Sequence, residues 1–226
     1  MTSERTRDFG FVLLMTLAGL ASGVLTAALS DGHLSTDLGI PFGAIVAFSL
    51  AMTGILPRLW KAVCLFALIA AAFVVSVILA ENAELAIRQL LTVVRETHYP
   101  SSFFAGGMAG GFIVMCGALL LAQPNRRFSA LLRQAFLWSL FVGALAPIAW
   151  TLGPSLGMWV WSGLHAVGLT TTTNTFQNAL YGETAYGAPN RLYALFVVWQ
   201  TGMAFALGMT LRGSRAISPS EELKLT

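Results

Sequence analysis

Residues 103–122 read FFAGGMAGGFIVMCGALLLA, a stretch of twenty residues without Asp, Glu, Lys or Arg. At about 1.5 Å of rise per residue, a helix of this length matches the roughly 30 Å hydrocarbon core of a bilayer. A helix also satisfies its own backbone hydrogen bonds, which lipid cannot do for it. This stretch therefore predicts a transmembrane helix.

Five other stretches have the same character, and the predicted spans are 9–29, 38–56, 62–80, 103–122, 135–152 and 192–211. The 226-residue chain is 56% hydrophobic and only 10% charged, whereas a soluble domain carries about a quarter charged residues. This composition excludes soluble enzymes, nucleic-acid-binding proteins and disordered chains. It predicts an all-α polytopic membrane protein with six transmembrane helices, one domain over 1–212 and a short cytoplasmic tail over 213–226.

The positions of Lys and Arg predict the orientation. With six spans, ten basic residues lie on one side of the membrane, and three lie on the other: Arg88, Arg95 and Arg191. A seventh span through 155–169 would change this ratio to eight against five. The positive-inside rule favours the larger asymmetry and so predicts that both termini are cytoplasmic, in a bacterial inner membrane. Residues 153–190 then form a long exterior loop, with a short interfacial or re-entrant helix near 155–169.

The segment 81–97 separates charged from apolar residues at helical spacing, which predicts an exterior amphipathic helix on the membrane surface. Its charged face would carry Glu81, Glu84, Arg88 and Arg95. A helical extension of the third span into water is the alternative. In either case all 23 formally charged residues fall outside the spans. Because ion and proton pathways use charged groups inside the membrane, this placement disfavours a proton-coupled transporter.

Small residues at intervals of three or four predict helix faces that allow close approach. The glycines on these faces are Gly19, Gly23, Gly106, Gly107, Gly110, Gly111 and Gly208. Packing within the bundle is the first interpretation, and contacts between subunits or a solute path are the alternatives. Gln200 is the amide deepest inside a span, so it requires a hydrogen-bond partner, which we expect on another helix. Gln200, Thr16, Thr26 and Thr201 are also candidates for lining a ligand site or a pore.

The exterior segment after the fifth span carries aromatic candidates for an outer-cap interaction surface: Trp159, Trp161, Phe176, Tyr181 and Tyr186. Such rings also suit the membrane interface without any further role. Ser162 and His165 lie one helical turn apart and are outlying candidates for a hydrolytic pair. That chemistry would also require an oxyanion hole and a group that orients the imidazole. We predict no cofactor and no metal site.

Two functional hypotheses follow from these patterns. The first is a non-catalytic membrane component, either self-associating or a subunit of a larger membrane complex, with lipids and membrane subunits as partners and no nucleic acid. The second is a passive channel or facilitator for a small neutral solute, lined by Thr, Ser, Gly and Gln200. Polar residues are dense on no more than one or two of the spans, which favours the first hypothesis.

Overall fold

The computed structural model describes residues 2–30, 39–91, 100–168 and 189–212, and every regular element within these ranges is helical. The helices are α1 (Thr2–Ser30), α2 (Gly39–Met52), α3 (Leu59–Leu91), α4 (Pro100–Ala122), α5 (Phe128–Ala166) and α6 (Pro189–Leu211). Five of them, all except α2, are long and apolar enough to cross a membrane. The chain is a helical multi-pass membrane protein.

Each helix packs on its neighbours in the chain, and α6 closes the arrangement by packing on α1. Adjacent helices run antiparallel. On α1 and α6, for example, Val12 lies beside Gly208, whereas Gly23 lies beside Val197. This alternation brings the chain segments that carry most Lys and Arg to the same end of the bundle. At that end the Lys61 ammonium donates a hydrogen bond of 2.6 Å to the carbonyl of Leu121, which joins the beginning of α3 to the end of α4.

The centre of the bundle is filled by apolar side chains that are at most 2% exposed, including those of Phe42, Leu65, Met115, Leu119, Met203 and Leu207. The outer surface is equally apolar, with Phe9, Leu17, Phe48 and Leu59 all more than half exposed. A helix that is apolar all round is typical of a membrane span, because lipid replaces water on its outer face.

The second predicted span, 38–56, is longer than the helix found there. At 14 residues, α2 is about 21 Å long. Gly54 has a φ of 75°, which lets the backbone leave the helix with little strain, and its N–H donates to the carbonyl of Ala51. Ile55 and Leu56 beyond this turn are buried. Because both residues are apolar, the predicted span included them, although they lie beyond the end of the helix.

The exterior amphipathic helix predicted for 81–97 is, over its described part, the end of α3. This helix continues without interruption from Leu59 to Leu91, because residues 81–91 contain neither Gly nor Pro to end it. Glu84 is 7% exposed, whereas Leu85 is 58% exposed. The expectation that Glu84 faces water is therefore wrong.

The reason is the antiparallel register between α3 and α4. Ser76, Ala80 and Glu84 follow one another at steps of four and so lie on one face of α3. That face packs on α4, where Ala80 lies beside Gly106 and Glu84 beside Ser102. Glu84 is thus the outermost residue of a packing seam that begins with small residues.

The separate short helix predicted near 155–169 is also absent as an independent element. Residues 155–166 continue α5, which is 39 residues long and so extends about 58 Å. Gly157 and Gly163 both lie within this regular helix. The helix ends at Ala166, followed by a turn in which Gly168 has a φ of 72°.

Candidate functional site

A cavity of about 380 Å³ lies between α3, α4, α5 and α6. Its wall is mainly aromatic and aliphatic, with side chains from Phe73, Val77, Phe103, Ala146, Leu195 and Phe196. The volume falls within the range typical of small-molecule sites, and such sites are lined mostly by apolar side chains with a few polar groups. The polar groups of this cavity decide what it could hold.

Two glycines of α4 lie in the wall of this cavity and allow the neighbouring helices to approach closely. Gly106 and Gly107 both line the space. A Cβ atom at Gly107 would lie 3.1 Å from the Cβ of Ala146 and 3.2 Å from Nε1 of Trp199. Gly106 instead lets the backbone of α4 approach Ser76 of α3, since a Cβ there would be 2.5 Å from the Ser76 carbonyl oxygen.

Trp199 of α6 lines this cavity and carries a buried hydrogen-bond donor. Its side chain is 8% exposed, and Nε1 has no hydrogen-bond partner among the described residues. The indole ring packs against Phe42, with 6.0 Å between ring centroids. A buried N–H group without a partner costs about 1–3 kcal/mol, and native proteins contain few of them. An acceptor atom on a bound molecule would remove that cost.

The opposite end of the cavity carries carboxylates. Ser102 donates a hydrogen bond of 3.2 Å from Oγ to Oε2 of Glu84, and both residues line the cavity. Ser102 belongs to the first turn of α4, whose positive dipole end stabilises a nearby anion. Glu81, one turn before Glu84, has an exposed side chain and also lines the cavity. The cavity therefore opens to the surface beside Glu81.

Gln200 does not line this cavity and lies on another face of α6, in the contact with α1. Its Oε1 accepts hydrogen bonds from Ser22 Oγ at 2.6 Å and Thr26 Oγ1 at 3.3 Å. Its Nε2 is 3.1 Å from the Thr26 hydroxyl. All three side chains are fully buried. The amide joins two helices and presents no free surface to a passing solute.

The other predicted polar candidates, Thr16 and Thr201, do not converge with Gln200 on a shared path. The Thr16 hydroxyl donates to the carbonyl of Val12 at 2.8 Å. The Thr201 hydroxyl donates to the carbonyl of Val197 at 2.6 Å. Each hydroxyl thus donates to a backbone carbonyl of its own helix, as Ser and Thr side chains commonly do inside helices.

The predicted glycine faces lie in contacts between helices of this chain. Gly19, Gly23 and Gly208 lie between α1 and α6, and a Cβ at Gly19 would be 2.5 Å from the Cβ of Ala204. On α4 the two overlapping pairs point in different directions. Gly106 and Gly110 face α3, with Gly110 against the Ser76 hydroxyl, whereas Gly107 and Gly111 face α5.

Several candidates of the exterior segment lie on the last turns of α5 or beyond. Trp159 is 79% exposed, and the side chains of Ser162 and His165 are exposed as well. Among the described residues, nothing lies within 4 Å of a Cβ placed at Gly163, between them. Phe176, Tyr181 and Tyr186, and the side chain of Trp161, lie outside the described residues.

The cavity residues Trp199, Ser102 and Glu84 were not predicted as a site. One signal in the sequence pointed to them: the stripe Ser76, Ala80, Glu84 has the same spacing as the glycine pairs of α4. Across the residues with described positions, no three His, Cys, Asp or Glu side chains converge in a metal-binding arrangement. No family model, curated protein or solved structure matches this chain.

Proposed function

We propose that this protein is a non-catalytic membrane protein that binds a small, mainly apolar molecule in the cavity between α3, α4, α5 and α6. One observation carries the proposal, namely an apolar cavity lined by Trp199, whose buried N–H has no partner among the described residues. A buried donor without an acceptor is costly. A bound molecule with an acceptor oxygen in an apolar body would satisfy both features.

In this proposal six helices are embedded in the inner membrane, with the short α2 held between α1 and α3, and both termini are cytoplasmic. The support is the distribution of basic residues along the antiparallel helices. Eight of those in described positions lie near one end: Arg5, Arg7, Arg58, Lys61, Arg126, Arg127, Arg133 and Arg212. The positive-inside rule makes that end cytoplasmic, so the cavity opens toward the outer face, where α5 also extends beyond the bilayer.

The two hypotheses from the sequence fare differently beside this proposal. A subunit role is compatible with it, since a ligand-binding bundle can belong to a larger complex. Such contacts would have to use surfaces other than the glycine faces, which other helices of the chain cover. The passive-channel hypothesis gains no support, because the Gln200 amide is engaged by Ser22 and Thr26 and large apolar side chains fill the described centre of the bundle.

Filling the cavity should abolish binding without unfolding the protein. Val77 lines the cavity, so in Val77→Phe the larger ring takes up the space that a ligand would use. We expect at least a roughly tenfold rise in the Kd of a saturable apolar probe, equivalent to about 1.4 kcal/mol. Nile red, a neutral dye with a carbonyl acceptor, is a suitable probe. Its binding to purified protein in lipid nanodiscs is measured by fluorescence against protein-free discs.

Val75→Phe is the matched control, because Val75 lies on the same helix, is 36% exposed and does not line the cavity. It makes the same change in side-chain volume toward lipid and should leave Nile red affinity unchanged. Equal loss of affinity in both variants would contradict the proposed site. Absence of saturable Nile red binding to the unsubstituted protein would contradict the proposed function itself.

Removing the indole donor tests the role of Trp199 directly. Trp199→Phe keeps an aromatic ring but deletes the N–H, so Nile red affinity should fall about fivefold, the worth of one hydrogen bond of about 1 kcal/mol. The ligand-free variant should lose no stability through the N–H, which has no partner to lose. Trp138→Phe is the control, since Trp138 packs edge-on against Phe141 and Phe205 away from the cavity. If Trp199→Phe binds Nile red with unaltered affinity, the indole N–H does not contribute to binding.

A further inference from the structure

Positive charge is concentrated at one corner of the bundle, where α3 begins, α4 ends and α5 begins. The antiparallel packing of these three helices brings their ends together there. The corner carries five basic residues in described positions: Arg58, Lys61, Arg126, Arg127 and Arg133. Residues 38–80 and 97–182 contain no Asp or Glu, so the surrounding chain supplies no carboxylate to neutralise them. Asp8 belongs to α1, which packs on α2 and α6 instead.

Two of these cations are held in place by neutral oxygen atoms. The Lys61 ammonium donates to the carbonyl of Leu121, near the end of α4, at 2.6 Å. Nη1 of Arg126 donates to Oε1 of Gln123 at 3.0 Å and to Oε1 of Gln134 at 2.6 Å. Because none of these acceptors is charged, the bonds orient both side chains without neutralising them.

The two cations are anchored close to each other. Leu121 and Gln123 are two residues apart, so their Cα atoms are at most about 7 Å apart. This distance is below the screening length of about 8 Å at physiological ionic strength, so both charges attract an anion bound at the corner. Lysine has three donors and arginine five, of which these bonds use one and two. The remaining donors can bind phosphate oxygens, for which a planar guanidinium is well suited.

Exposed apolar side chains begin directly beside these cations. Leu59 and Trp60 at the start of α3 and Phe128 at the start of α5 are all more than half exposed. The Lys61 ammonium is 6.0 Å from the centroid of the Trp60 ring, so charge and apolar surface meet at this corner. A phosphate that carries acyl chains can contact both surfaces at once, whereas a free phosphate ion contacts only the cations.

We infer that this corner binds an anionic phospholipid, with the head-group phosphate against Lys61 and Arg126 and the acyl chains along the exposed apolar side chains. Basic surfaces between membrane helices at the cytoplasmic side bind such head groups. Arg58, Arg127 and Arg133 are exposed and add positive potential around the phosphate. A zwitterionic head group carries its own cation, which this potential repels, so the site selects lipids with a net negative charge.

This lipid site is separate from the cavity proposed above to hold a small apolar molecule. Lys61 and Glu81, which lines the cavity, are twenty residues apart on α3, which corresponds to about 30 Å along the helix. The inference therefore goes beyond the proposed function. Nile red binding reports on the cavity and lipid selectivity reports on the corner, so each proposal can fail while the other stands.

Native mass spectrometry of the purified full chain measures the lipid preference. The protein in dodecyl maltoside is titrated with phosphatidylglycerol or phosphatidylcholine of identical acyl chains. We expect the Kd of the first phosphatidylglycerol to be at least about tenfold lower, equivalent to about 1.4 kcal/mol. Equal affinities would overturn the inference. Glycerophosphoglycerol, the same head group without acyl chains, should not displace the lipid at equal concentration. If it does, the site binds a soluble anion and the assignment to a lipid is wrong.

A double variant, Lys61→Gln with Arg126→Gln, assigns the preference to the corner. It should lower the ratio of affinities from about tenfold to below about threefold. The matched control is Arg7→Gln with Arg212→Gln, which removes the same charge from the same end of the bundle. Both control residues are exposed and lie on α1 and at the end of α6, so the tenfold ratio should persist. A ratio that survives in the first variant, or falls equally in the control, would contradict the proposed site.

Arg126→Gln alone tests the site with the least risk to folding. Its side chain is exposed, and its described bonds are to the side chains of two surface glutamines. The melting temperature without added lipid should therefore stay unchanged, while the ratio of affinities falls to about threefold. An unaltered ratio in this variant would contradict the role of Arg126. Nile red binding should be the same in all of these variants, because none of the substitutions touches the cavity.

Discussion

Gly19→Val is expected to reduce the free energy of unfolding by about 3 kcal/mol or more, the upper range for overpacking a tight contact. A Cβ at position 19 would be 2.5 Å from the Cβ of Ala204, 2.6 Å from the carbonyl oxygen of Gln200 and 3.0 Å from the Cα of Thr201. Two of these three atoms belong to the backbone and cannot rotate away. The helices α1 and α6 would have to separate, and the closure of the bundle would be lost.

Gly10→Val provides the control for this substitution. Gly10 lies on the same helix, and nothing lies within 4 Å of a Cβ placed there. Valine has a slightly higher helix propensity than glycine, and it meets no other atoms here. The free energy of unfolding of this variant should therefore differ from that of the unsubstituted protein by less than about 0.5 kcal/mol. Thermal unfolding of both variants in the same detergent measures the difference. Similar melting temperatures for Gly19→Val and Gly10→Val would show that α1 and α6 are not in close contact.

Gln200→Leu should reduce the free energy of unfolding by about 1.5 kcal/mol, near the upper limit found for hydrogen bonds between membrane helices. Leucine has a similar size, so the loss arises from the bonds to Ser22 and Thr26 rather than from a void. The loss stays moderate because both hydroxyls can turn to a carbonyl of their own helix, as Thr16 already does. Chemical unfolding in detergent micelles measures this change.

A double-mutant cycle of Gln200→Leu with Ser22→Ala isolates the contact. The sum of the stability losses in the two single variants should exceed the loss in the double variant by about 1 kcal/mol, because each single substitution removes the same hydrogen bond. Thr201→Val serves as the control on the neighbouring position of α6. Its hydroxyl bonds within the helix, so this variant should show no coupling with Ser22→Ala. Additive losses in the first cycle would argue against the hydrogen bond between Ser22 and Gln200.

The sequence predicted positions of close approach better than it predicted where helices end. The glycine intervals on α1 and α4 follow directly from the helical period, and the structure places those glycines against other helices. Helix ends depend on features that hydropathy does not register. At α2, one glycine with a positive φ ended the helix inside an apolar stretch. At α3 and α5, polar or glycine-containing segments continued the preceding helix.

The cavity was harder to predict, for a reason that concerns register. Amphipathicity indicates that Glu84 and Leu85 lie on different faces of a helix, but it does not indicate which face meets protein. We expected the charged face to meet water, and the antiparallel pairing with α4 turned Glu84 toward Ser102. Trp199 gave no separate signal, because tryptophan is common in membrane spans and its missing partner is visible only in three dimensions.

What the sequence determined by itself is the membrane environment, the helical class and the glycine positions, since each follows from composition or from a period within one helix. Only the tertiary structure decided which faces meet and what space they leave. Those outcomes depend on the relative rotation and translation of separate helices. Such displacements do not change the hydropathy of any span, yet they determine whether a carboxylate faces water or a cavity.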